Sequence, residues 1–186
     1  AHRVFLADGD ALALPTAQLL AILRELARVL PRLARVSCYA TPANIQRKSA
    51  AELALLQQHK LNLLYVGVES GSDLMLKKIT KGATQRRMHE VLHKAHASGM
   101  KVSATVILGL GGCTHSDEHI DGTLALLNSA PVTYLSTLQL YLDDSIAEEF
   151  YRKFGEPFEA LDDLAILREQ QSLISGLNPP QPVVFR

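Results

Sequence analysis

Five short runs of large or β-branched apolar residues begin at Arg3, Arg35, Leu63, Lys101 and Tyr134, each followed by a helical pattern. The spacing of about thirty residues is that of a βαβ unit. Strands so far apart cannot be joined as hairpins; they pair in parallel, and right-handed crossovers carry the helices to the outer face. The predicted strands are Arg3–Ala7, Arg35–Cys38, Leu63–Val68, Lys101–Leu108 and Tyr134–Leu140, with a further apolar run at Val183, Val184 and Phe185. A complete (β/α)8 barrel takes about 250 residues. Five or six strands in 186 residues therefore predict an α/β fold of the partial-barrel kind, with outer helices. A doubly wound sheet is the competing architecture, but no Gly-x-Gly-x-x-Gly follows the first strand. Residues 1–186 read as one domain. Because strand-like segments stand at both ends, they also read as a fragment of a longer chain.

The connecting helices carry start and stop signals. Pro15 opens one whose apolar face is Leu19, Leu20, Leu23, Leu26 and Leu30, and Pro31 stops it. Ser49 and Glu52 form a capping box. Thr84 caps a helix that ends at Ser98 and Gly99, Ser116 one that runs to Asn128, and a last pattern covers Ala160 to Leu173.

In a parallel α/β protein, ligands meet the loops that leave the carboxyl ends of the strands. Those loops here include Asp8-Gly9-Asp10, Tyr39 to Pro42, Glu69-Ser70-Gly71-Ser72, Gly109-Leu110-Gly111-Gly112 and Tyr141-Leu142-Asp143, each rich in glycine, carboxylate or hydroxyl groups. Glu69 offers a two-oxygen acceptor for paired ribose hydroxyls or an ammonium group, and Ser70 and Ser72 add hydroxyls. The alternative for this turn is a helix N-terminus capped by Ser72, with Glu69 in solvent.

Together, Leu6-Ala7-Asp8-Gly9-Asp10, Gly67-Val68-Glu69-Ser70-Gly71-Ser72-Asp73, Lys77 to Gly82 and Val106 to Gly112 resemble the radical S-adenosylmethionine (radical SAM) superfamily, in its uncharacterised iron–sulfur oxidoreductase branch. The resemblance implies a truncated TIM-like barrel that binds S-adenosylmethionine. It implies that Asp8, Gly9 and Asp10 stand where the family holds the methionine ammonium, although Asp8 and Ala11 replace a glycine and a proline there. Glu69 and Ser70 would meet the ribose or methionyl group, and Lys81 would stand near a substrate carboxylate. Gly109, Gly111 and Gly112 would let adenine approach the backbone, with Leu138 to Tyr141 as apolar support. The family's [4Fe–4S] cluster takes three cysteines in a Cys-x3-Cys-x2-Cys segment. This chain has only Cys38 and Cys113, so the cluster is not expected in the fragment. The full-length protein would cleave the cofactor reductively to a 5′-deoxyadenosyl radical, on a substrate the sequence does not name, and the fragment alone would be inactive.

Two other readings compete. His115-Ser116-Asp117-Glu118-His119 matches the His-x-x-Glu-His pattern of a zinc hydrolase, with Glu118 as base; the preferred reading of the same segment is a solvated helix start, because Gly112 to Ser116 reads as loop. A scaffold that binds a nucleotide or a partner without catalysis is the other. His89, His93 and His96 make a helical stripe read as a solvated flank, and Cys113 reads as buried or merely small. Nineteen basic against nineteen acidic residues give no support to nucleic-acid coating. The predicted partner is thus a small-molecule cofactor. No apolar run spans a bilayer, and two cysteines without a disulfide framework point to the cytoplasm.

Overall fold

The computed structural model describes residues 1–186. Six strands, β1 (Arg3–Leu6), β2 (Arg35–Tyr39), β3 (Leu61–Glu69), β4 (Lys101–Leu108), β5 (Tyr134–Gln139) and β6 (Val184–Phe185), form one sheet in sequence order. Every neighbouring pair is parallel. β1 and β6 do not pair, so the sheet is the wall of an unclosed barrel, as the spacing predicts.

Alternation along the strands divides the sheet into two faces. Val102, Ala104, Val106 and Leu108 of β4 enter a core of 32 buried residues, shared with the helices. Ser103, Thr105 and Ile107 point to the concave side, where Phe5, Tyr39 and Tyr65 meet edge to face with centroids 4.9 to 6.2 Å apart.

The outer helices are α1 (Thr16–Val29), α2 (Pro42–Arg47), α3 (Ala50–Gln58), α4 (Asp73–Lys78), α5 (Gln85–Ala97), α6 (Gly112–Leu127), α7 (Asp144–Phe154) and α8 (Asp163–Gly176). The Ser49–Glu52 capping box forms, and Thr84 caps α5 through the Arg87 N–H. Three helices depart from the sequence reading. α2 occupies part of a predicted loop because Thr41 caps it and Pro42 takes a first-turn position. α7, capped by Asp143, has its apolar residues Ile146, Phe150 and Phe154 four apart, too few to stand out among charges. α6 starts at Gly112 rather than Ser116, with a break at His115 (φ −121°, ψ 18°).

α7 belongs to a separate, smaller cluster. Met75, Leu110 and Phe154 are buried there, with Ile79, Phe150 and Phe158 packed around them. This cluster sits over the carboxyl end of the sheet. Lys78 fastens it, donating to the Phe154 carbonyl at 2.8 Å and lying 4.4 Å from the centre of the Phe154 ring. No helix is long and apolar enough to cross a membrane.

Candidate functional site

β3 ends irregularly. Its pairing with β4 shifts between Gly67 and Glu69, and Glu69 has φ +62°. A side chain other than glycine in this region carries a cost of about 1–2 kcal/mol, so the surrounding structure has to hold it there. The turn folds the Glu69 carboxylate back over Gly67, where any Cβ would collide with Oε1. Lys81 Nζ pairs with that oxygen at 2.9 Å, both side chains being 22% exposed. Oε2 makes no protein hydrogen bond, which leaves an acceptor free toward the concave side.

Two cavities meet at Glu69. One, of about 480 Å³, is mostly apolar; Ile107, Leu110, Leu138 and Leu140 form its floor, and Ile146 and Phe150 of α7 form its far wall. The other, of about 380 Å³, is lined by Asp10, Tyr39, Thr41, Tyr65, Lys81 and Thr105. Glu69, Ile107 and Leu138 belong to both. Asp10 is held by three donors: the Leu12 N–H at 3.0 Å, the Thr41 N–H at 2.8 Å and the Asn44 amide at 2.5 Å. A mostly apolar cavity thus adjoins one lined by the Asp10 and Glu69 carboxylates and the Lys81 ammonium.

Other predicted site residues lie elsewhere. Asp8 (φ +71°) and Gly9 (φ +87°) are exposed in the turn before Asp10 and line neither cavity. Ser70 is fully buried beneath Glu69, its Oγ accepting the Ser72 N–H at 3.0 Å and lying 2.8 Å from His119 Nδ1. Ser72 caps α4, as the alternative reading of the turn expects, yet Glu69 still faces the cavities. Gly109, Gly111 and Gly112 are buried against protein. A Cβ would stand 2.7 Å from Ile166 Cδ1 at the first, 2.5 Å from the His115 carbonyl oxygen at the second and 2.6 Å from that of Glu159 at the third. Glu169 of α8 seals this turn, accepting the Gly109 N–H at 2.5 Å and the Ser116 hydroxyl at 2.7 Å. Burial raises the Glu169 pKa, and those two hydrogen bonds oppose the rise. Neither Glu169 nor α7 is marked as a site element by any sequence pattern.

The zinc reading fails on geometry. The break at His115 takes it off the face that carries His119. His115 Nε2 pairs with Glu156, His119 with Ser70, and Glu118 Oε1 accepts the Ser72 hydroxyl at 3.0 Å. No group of three or more histidine, cysteine or acidic side chains can hold a metal ion. Cys38 is buried, its pKa pushed up to about 12 by desolvation with Asp10 adding. Cys113 is exposed rather than buried, and its pKa is raised by desolvation and by the Glu159 and Asp162 carboxylates, which leaves less thiolate for reaction.

The family model for the radical SAM superfamily matches residues 1–127. The chain belongs to the radical SAM superfamily. The heme chaperone HemW of Bacillus subtilis (strain 168) is 29% identical over 126 residues, covering 66% of this chain and 33% of that protein. Among solved structures, coproporphyrinogen III oxidase (HemN) from Escherichia coli, a radical SAM enzyme, superposes over 94% of the chain and 39% of its own, with TM-score 0.73 and 17% identity. Elp3 of the archaeon Methanocaldococcus infernus covers 99% of this chain and 46% of its own at TM-score 0.71 and 16% identity. The last two likenesses speak for the fold alone, and the chain spans about a third of the curated relative's length. The cofactors of a radical SAM protein are S-adenosylmethionine and a [4Fe–4S] cluster, and the open parallel sheet is the radical SAM barrel wall.

Proposed function

We propose that residues 1–186 form the S-adenosylmethionine-binding part of a radical SAM oxidoreductase. The observation that carries this reading is the placement of Glu69, held out of the ordinary backbone region with a free oxygen at the junction of an apolar and a polar cavity. Adenine fits the apolar cavity, between Ile107, Leu110 and the Leu138–Tyr141 segment, under α7. Gly109, Gly111 and Gly112 shape the turn that brings Leu110 there. The ribose hydroxyls fall to Glu69, and the methionyl end lies toward Asp10, with Asp8, Gly9 and Ser70 shaping the two turns. Lys81 screens the Glu69 charge and presents a cation to a carboxylate.

The cofactor supplies a 5′-deoxyadenosyl radical once its sulfonium is reduced; the residues described here bind and orient it and exclude water from the adenine. The cluster does not fit this chain. Cys38 is buried with its pKa near 12, Cys113 lies beyond the sealed glycine turn, and no third thiol exists. Its ligands therefore come from outside residues 1–186, and these residues alone are inactive. We read them as one domain of a longer chain working in the cytoplasm, where the thiols of Cys38 and Cys113 stay reduced. Calorimetry of full-length protein, reconstituted without oxygen, tests the reading. Glu69→Ala should weaken S-adenosylmethionine binding by about tenfold to a hundredfold, the loss of one or two charge-assisted hydrogen bonds. Unchanged affinity would remove Glu69 from the site.

A further inference from the structure

The turn that positions Glu69 takes its support from α6. The Gly71 N–H donates to Thr123 Oγ1 at 3.0 Å, and that hydroxyl donates in turn to the His119 carbonyl at 2.6 Å. His119 Nδ1 lies 2.8 Å from Ser70 Oγ, which also accepts the Ser72 N–H. Ser72 Oγ reaches Glu118 Oε1. Three consecutive residues behind Glu69 are thus tied to α6: Ser70 by His119, Gly71 by Thr123 one helical turn on, and Ser72 by Glu118. Gly122 lets the surfaces close up, since a Cβ there would stand 2.8 Å from Ser72 Cα.

His119 is an unusual choice for this place. It is 0% exposed, and its Nε2 has no partner in hydrogen-bonding geometry. Desolvation pushes its pKa down to about 4, with the Ile107 backbone opposing in part, so the ring is neutral at pH 7. A leucine would fill such a space without stranding a polar atom. What the imidazole adds is a bond that fixes the Ser70 hydroxyl.

We infer that His119 is a positioning residue for cofactor binding: through Ser70 it fixes the turn that keeps Glu69 in the left-handed region with its carboxylate over Gly67. The inference rests on Glu69 contacting S-adenosylmethionine. It also accounts for the second half of the His-x-x-Glu-His pattern, since Glu118 and His119 both serve this one turn.

The test uses full-length protein reconstituted without oxygen, with calorimetric titration of S-adenosylmethionine and a melting curve for each variant. His119→Leu keeps bulk and removes the bond; His119→Asn puts an amide near the Nδ1 position. His119→Leu should lower affinity by about tenfold, and His119→Asn should recover most of it, whatever the order of their melting temperatures. If His119→Leu does not fold, Ser70→Ala breaks the same bond with little change of volume and should show the same loss. Where both fold, Ser70→Ala should cost nothing further in a His119→Leu background. Glu69→Ala, run alongside, separates two failures. Should it leave affinity unchanged, the site itself is misassigned. Should it weaken binding while folded His119→Leu or Ser70→Ala binds normally, the positioning role is overturned.

Discussion

The turns after β3 and β4 look alike in sequence and behave oppositely in the fold. Both follow a buried parallel strand, both carry glycines and both open a helix. Gly67 to Ser72 turns an acidic side chain outward into two cavities, and its glycines clear room for the Glu69 carboxylate and for α6. Gly109 to Gly112 is closed over by α8 and by the segment at Phe158 and Glu159. A glycine announces that something comes close to the backbone, and it does not say whether that is ligand or protein. Only the elements that arrive later in the chain decide.

Substituting the second turn should give the largest effect. At Gly112 (φ +56°) an added methyl would lie 2.6 Å from the Glu159 oxygen and 2.9 Å from Phe158 Cε2. Left-handed strain and overpacking together put the cost of Gly112→Ala at roughly 2–4 kcal/mol in denaturant unfolding. Gly9→Ala, with nothing within 4 Å of its Cβ, should cost only about 1 kcal/mol, from backbone strain alone. The folded fraction of Gly112→Ala should lose less S-adenosylmethionine affinity than Glu69→Ala, since Gly112 reaches the apolar cavity only through Leu110. A stable Gly112→Ala protein that loses as much affinity as Glu69→Ala would break the contrast between the turns.

The fold was legible because its signals are local and repeated. Strand spacing, the Ser49 capping box and the stops at Pro31 and Gly99 all act within a few residues. Glu69 and Asp10, which line the polar cavity, were legible as candidates because they stand in loops that leave strand ends, whereas Lys81, beyond α4, came from the family resemblance alone. What was hidden depends on contacts far apart in the chain. Glu169 reaches Gly109 across 60 positions, and His119 reaches Ser70 across 49. For His119 the sequence offers only a metal-ligand alternative or a solvated helix start, since spacing alone does not show which way an imidazole faces. α7 escaped because a helix covering a cavity keeps a narrow apolar stripe on an otherwise charged surface.

Acid should act on the first turn through His119. Its folded pKa of about 4 lies below the ordinary 6.5, so the unfolded chain binds the proton first as pH falls. The stabilising contribution is complete above pH 6.5 and is lost as pH falls toward 4. The full loss is on the order of 3 kcal/mol. Other groups titrate in the same range, so the informative quantity is a difference. Wild type should lose more stability than His119→Asn between pH 6.5 and about 4, while the two should run parallel above pH 7. Parallel curves throughout would mean that the imidazole is not held neutral beneath Ser70.

The second turn carries the opposite sign and a smaller effect. Burial raises the Glu169 pKa, so the fold favours the protonated acid, and stability from this group declines as pH rises through its titration. Glu169→Gln removes that charge while its amide oxygen can still accept the Gly109 N–H and its amide group can donate to Ser116 Oγ. Because a buried, cation-free carboxylate is replaced by a neutral group with the same hydrogen bonds, unfolding at pH 7.5 should show a change of no more than about 1 kcal/mol, toward greater stability. S-adenosylmethionine affinity should stay within about threefold of wild type, since Glu169 touches the sealed side of the glycine turn and neither cavity. A tenfold loss of affinity in stable Glu169→Gln protein would make the β4–α6 turn as much a part of the cofactor site as the β3–α4 turn, and the distinction between them would fall.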